Sequence, residues 1–190
     1  MNPFLKIKNL YNYIHNKLII KKHKVNVEKT LKINGRIYID NKGIINVGRN
    51  VRINSGKNYN IIGGDTRTSL IALNKAVIKI GSETGMSNIT IVARKEVIIG
   101  PRVMIGGSVK IYDNDFHSVD FIERMKQPDQ GIISKSVIIE EGVFVGSHSI
   151  ILKGVTIGEF SVIGAGSVVT KSIPPRQVWG GNPAKFIRNI

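Results

Sequence analysis

The chain of 190 residues is long enough for one domain with a sizeable core and an appendage. It has no cysteine, which excludes disulfides, thiolate catalysis and cysteine-held metal sites. No apolar run approaches the roughly 18 residues of a membrane span and no secretory leader is recognised, so the cytoplasm is the expected compartment. The formal net charge is +15, yet aromatic residues make up only 6% and no Lys/Arg cluster alternates with stacking rings. The charge therefore points to a small anionic ligand or an anionic surface rather than to nucleic acid.

Residues 3–22 read as a helix. Phe4, Ile7, Tyr11, Ile14 and Leu18 follow spacings of three and four, with lysines between them. Residues 1–30 hold seven lysines against a single acid, Glu28, a surplus of six positive charges. Two readings stay open for this segment. The stripe packs on the body or on a partner subunit, or the basic helix lies on the inner face of a membrane.

From about residue 30 a different period begins. Ile33 and Ile39 are six apart, as are Val47 and Ile53, with a gap of eight between the pairs. Residues 54–69 are polar and glycine-rich and predict a loop. The register resumes as Leu73, Ile80, Met86 and Val92, slips by one, and continues as Ile99, Ile105 and Ile111. A second irregular stretch spans 112–132.

The step is strict thereafter: Ile133, Ile139, Val145, Ile151, Ile157, Ile163 and Val169. Four residues after each comes a second set, Val137, Val143, Ser149, Val155, Ser161, Ser167 and Ile173. A period of six is neither helical nor that of an ordinary strand. It predicts short strands wound along the faces of a prism, with the aliphatic residue inside. Gly146, Gly158 and Gly164 follow three of the aliphatic positions and are expected to supply backbone angles that a side chain would obstruct. Pro174 and Pro175 end the coil. The predicted organisation is a basic helix and linker (1–30), a parallel β-helix (31–174) with loops at 54–69 and 112–132, and a C-terminal tail (175–190). Helix and tail would cap the exposed strand edges of the stack.

The run GVTIG, then GAGSVVT, then GNPAK resembles the hexapeptide-repeat acyltransferases, above all their galactoside, maltose and polysaccharide O-acetyltransferase branch. The resemblance is good over residues 73–190 and looser over 30–72. It implies a mainly β protein, a left-handed parallel β-helix that assembles as a homotrimer with active sites in clefts between prisms. It also implies a bacterial enzyme that takes its acyl group from acetyl-CoA and requires no metal.

His117 stands where the coil register breaks, in YDNDFHSVD, at the point where the family places its catalytic histidine. A sugar hydroxyl is a poor nucleophile at neutral pH, and an imidazole that takes its proton during attack on the thioester raises the rate by about 10²–10⁴. Asp113 and Asp115 lie four and two residues before it. Asp115 is the expected orienting carboxylate, since an extended chain puts it on the same face as His117. Asp113 and Asn88 are candidate contacts to the acceptor; the resemblance places Asn88 or its neighbour Ser87 there. By the same resemblance Phe144 packs against the pantetheine arm, the Ser147 N–H donates to the thioester carbonyl, and Ala165 and Thr170 line the cofactor path. Lys171, Lys185 and Arg188 offer charge to its phosphates, arginine by a two-pronged contact. His148 reads as a surface histidine on a flat face.

The expected function is O-acetylation of a sugar hydroxyl in a bacterial surface polysaccharide or its precursor. The alternatives are acetyl transfer to serine, to another small molecule or to an amino sugar, and a β-helix scaffold without catalysis. A zinc carbonic anhydrase, which shares the prism, needs three converging histidines that this chain does not supply.

Overall fold

A six-residue step lets each short strand lie directly above the strand one coil earlier. The computed structural model, which describes residues 3–190, shows that stacking throughout. Three parallel sheets form the faces of a left-handed β-helix. The first runs from Asn26–Val27 to Thr156–Ile157, the second begins at Lys32–Gly35, and the third runs from Tyr38–Asn41 to Val168–Val169. Register aligns like with like. Ile80, Ile99, Ile139 and Ile157 stack in the first sheet, and Ile39, Leu70, Ile91, Ile111, Ile151 and Val169 in the third. Each buried aliphatic side chain contributes about 2 kcal/mol by leaving water.

In the strict run every aliphatic position from Ile139 to Val169 is buried, as is the whole second set from Val137 to Ile173. The buried serines fill narrow space and satisfy their hydroxyls on carbonyls: Ser149 and Ser167 donate to Gly164, Ser161 to Pro174. Three register expectations need correction. Ile133 is 52% exposed, because it lies in the returning arm of a loop, beside the Asn114–Ser134 bridge. Leu73 is only half-buried, Ala72 taking the inward position. Val92 points away from the prism axis, which Ile91 and Ala93 face.

The glycine argument is also corrected. The residues with left-handed backbone in the strict run are Gly142, His148, Gly154, Phe160 and Gly166, one every six residues. None of Gly146, Gly158 and Gly164 is among them, and at Gly164 a Cβ would meet nothing nearer than 3.5 Å. The other two glycines have a different role. Gly146 and Gly158 are needed because coils touch there: a Cβ on Gly146 would stand 2.5 Å from the Ala165 nitrogen, and one on Gly158 2.4 Å from that of Pro175.

Helix α1 (Pro3–Lys22) leads directly into the first coil. The side chain of Phe4, first of the predicted stripe, lies outside the described residues. At the other end Gln177–Gly180 joins the second sheet in parallel, and Lys185–Asn189 closes its edge antiparallel. The first loop spans residues 56–68. The second, 113–136, contains a one-turn helix α2 (Phe121–Met125) capped by Asp120, whose side chain accepts from the Glu123 N–H.

Candidate active site

The second loop leaves the prism at the corner between the third and first sheets, and its own chain ends pin it there. Asn114 bridges Ser134, and the Lys135 N–H donates to the Asp113 carbonyl. At Phe116 the backbone turns left-handed (φ 61°), and the ring packs edge-on against Tyr112 at 5.0 Å. Burial of Tyr112 pushes its hydroxyl above the ordinary tyrosine range.

That turn overturns the expected partner of His117. The chain is not extended between residues 115 and 117, so alternation does not bring their side chains together. The Asp115 carboxylate instead pairs with Lys153 on the next coil. His117 Nδ1 meets Asp129 Oδ2 at 2.9 Å. The histidine side chain is 74% exposed and the aspartate only 17%. Nε2 has no partner among the described residues. A carboxylate on Nδ1 favours the tautomer with its proton there and leaves the Nε2 lone pair facing outward.

Sequence reasoning missed Asp129, and the sequence could at most have set other acids of the loop aside. Asp120 and Glu123 have the D-x-x-E spacing of a helix N-terminus, and the Asp120 half of that cap is made. Lys126 holds Glu123, so Asp129 is the one carboxylate of the loop left for the imidazole.

Asp113 is not a substrate contact. It is fully buried, and its carboxylate accepts from the backbone N–H groups of Arg94, Lys95 and Glu96 at 2.6–2.8 Å and from the Asn114 amide. It welds the loop base to the preceding coil. Asn88 is likewise consumed. It is 1% exposed, accepts from the Gly56 N–H at 2.7 Å and donates to the Asn60 carbonyl at 3.0 Å, bracing the 56–68 loop. His148 lies at a corner rather than on a flat face and braces the same loop, with Nε2 3.0 Å from the Ile62 carbonyl.

The remaining candidates divide between two corners. Ser147 and Ala165 stack on successive coils at the corner between the second and third sheets. The Gly166 N–H donates to the Ser147 carbonyl, and the Val168 N–H to Gly181 one coil further. The Ser147 N–H itself has no acceptor among the described residues. This column ends beside Lys185, exposed with Arg188 on the last strand. Phe144, 46% exposed, stands on the second sheet and helps line an open groove of about 670 Å³ with Met104, Ser87, Gly85 and Arg52. Thr170 and Lys171 follow the last strand of the third sheet and are exposed at the His117 corner, apart from Ala165. Within one chain His117 and Ser147 therefore do not share a cleft.

Residues 136–171 match the family described as the hexapeptide repeat of succinyl-transferase. An Escherichia coli protein named for O-acetyl transfer in lipopolysaccharide biosynthesis, WbbJ, is 31% identical over 157 residues, which are 80% of this chain and 74% of that protein. The galactoside O-acetyltransferase of Escherichia coli is 44% identical over 103 residues, 54% of this chain and 49% of the relative. A solved galactoside acetyltransferase in complex with coenzyme A superposes with a TM-score of 0.58 at 29% identity, covering 100% of this chain and 84% of that one. The chain spans about half the length of the galactoside O-acetyltransferases it matches. With its coils, its strict six-residue register and this extended similarity to WbbJ, the chain belongs to the hexapeptide-repeat acetyltransferase family.

Proposed function

We propose that the protein is an acetyl-CoA-dependent O-acetyltransferase that acetylates a sugar hydroxyl of a surface polysaccharide or its precursor. The observation that carries this reading is the exposed His117 ring, held through Nδ1 by Asp129 with Nε2 open, in a member of an acetyltransferase family. The names of its relatives, a galactoside O-acetyltransferase and an O-acetyl transferase of lipopolysaccharide biosynthesis, support the acceptor class. The coenzyme A complex of a galactoside acetyltransferase supports the donor.

In the proposed reaction Nε2 takes the acceptor hydroxyl proton as the oxygen attacks the thioester carbonyl carbon. The imidazolium formed is stabilised by Asp129, and a backbone N–H such as that of Ser147 steadies the developing oxyanion. As the C–S bond breaks, the proton passes from Nε2 to the departing thiolate. Ala165, Lys185 and Arg188 form the path for the rest of the donor, with Phe144 flanking it. Thr170 and Lys171 would serve it from the other corner.

The two-corner arrangement favours a homotrimer. His117 of one copy would complete the Ser147 corner of the next, and the exposed Val119, Phe121, Ile122 and Met125 of the second loop would be covered on assembly.

The test is coenzyme A release from acetyl-CoA, followed with a thiol reagent over a panel of sugars, nucleotide sugars and capsule-type oligosaccharides. Without cysteine the protein is silent in that assay. Acceptor-dependent release that falls by about 10²–10⁴ in His117→Ala is expected. Unchanged release in the variant would overturn the base assignment.

A further inference from the structure

Helix α1 docks on the prism through the wrong side for an ordinary amphipathic helix. The residues that face the body are polar. Asn16, 4% exposed, donates from Nδ2 to the Gly35 carbonyl at 2.8 Å and accepts from the Ile37 N–H at 3.2 Å. Asn12, 5% exposed, accepts from Arg36 and donates to the Tyr59 hydroxyl, which itself donates to Asn9. Just past the end of the helix, His23 Nδ1 accepts from the Asn41 N–H. Among the described side chains of the helix, Ile19 and Ile20 alone add apolar contact to the core.

The predicted stripe is therefore turned outward. Of that stripe Ile7 is 67% exposed, Tyr11 54%, Ile14 47% and Leu18 64%, and Leu10, outside the predicted set, is 60% exposed beside them. At spacings of three and four these residues share the face opposite the asparagines. Lys8, Lys17, Lys21 and Lys22 are exposed around it, and no acidic residue occurs before Glu28. Leaving four large aliphatic side chains in water is costly unless something covers them.

We infer that this face of α1 lies on an anionic lipid surface, with the aliphatic side chains in the boundary of the acyl chains and the lysines among the headgroups. Charge selects that occupant. A second copy of this chain carries +15 itself and would bring lysine against lysine. The exposed apolar residues of α2 make the contrast: they sit among Asp120, Glu123, Arg124 and Lys126, a mixed-charge setting suited to protein. No helix of the described residues is long and apolar enough to cross a membrane, so the contact is parallel to the surface. The polar anchoring of the inner face fixes the helix to the prism and would hold the coils at a set height above the lipid.

The test is co-sedimentation of the full chain with phosphatidylcholine vesicles, alone or containing about a third phosphatidylglycerol, at several salt concentrations. Binding to the anionic vesicles only is expected. Ile14→Glu with Leu18→Glu should weaken partitioning more than tenfold, while melting temperature and solution mass stay as in the wild type. Replacing Lys17, Lys21 or Lys22 by Gln should each weaken it about fivefold. No binding to anionic vesicles would overturn the inference. So would equal binding by the double variant, which would leave only diffuse charge attraction. A double variant of lower solution mass would show that a second copy covers the stripe, and overturn it too. Transfer to a soluble acceptor, measured on the same preparations, keeps failure of this inference separate from failure of the catalytic reading.

Discussion

The corner that carries Ser147 is made of backbone, and the corner that carries His117 is made of side chains on an excursion from the coil. At the first, glycine at 146 lets one coil rest on Ala165 of the next, and glycine at 106 leaves room beside the open N–H of Ser147. At the second, a loop of 24 residues (113–136) leaves the register, turns left-handed at Phe116 and returns. Its geometry depends on Asp113 at the base and Asp129 on the far arm. A repeat specifies its own corner by periodicity, whereas an excursion specifies its site through particular contacts. Substitutions should therefore act differently at the two corners.

The largest effect is expected at the excursion. His117→Ala should remove about 10²–10⁴ of the rate with the melting temperature unchanged, since the ring is mostly in water. Next comes the loop base. Asp113→Ala orphans three backbone N–H groups and should cost about 3 kcal/mol of stability, read as a fall in denaturant midpoint. At the backbone corner, Gly146→Ala should cost about 2 kcal/mol, because both contacting partners are main chain and cannot step aside. Gly166→Ala, in open space but at φ +70°, should cost about 1 kcal/mol, for backbone strain alone. If the two glycine variants melted alike, close coil contact would not be what Gly146 provides.

The same division explains what the sequence disclosed. The six-residue step located every core position from Ile139 to Val169, because each coil repeats its neighbour's environment. It misplaced Ile133, which keeps the spacing by coincidence in a loop arm, and Leu73 and Val92, where strands of four residues offer more than one inward choice. His117 was legible as the histidine at the break in register. Its carboxylate was not, because choosing Asp115 assumed an extended chain and the turn at Phe116 is a tertiary matter. Asn88 carried no sign that the 56–68 loop would claim both ends of its amide. The direction of the α1 stripe was decided by Asn12 and Asn16, polar residues that periodicity arguments pass over.

In the proposed mechanism Asp129, and not Asp115, positions the His117 imidazole. Coenzyme A release should be compared in Asp129→Asn and Asp115→Asn with the acceptor that the panel identifies. Asp129→Asn is predicted to lower kcat by on the order of 10- to 100-fold with KM for acetyl-CoA unchanged, since an amide no longer favours the proton on Nδ1. Asp115→Asn is predicted to hold kcat within about twofold and to lose at most about 1 kcal/mol of stability with its Lys153 pair. The reverse pattern, kcat lost with Asp115 and kept without Asp129, would contradict the account.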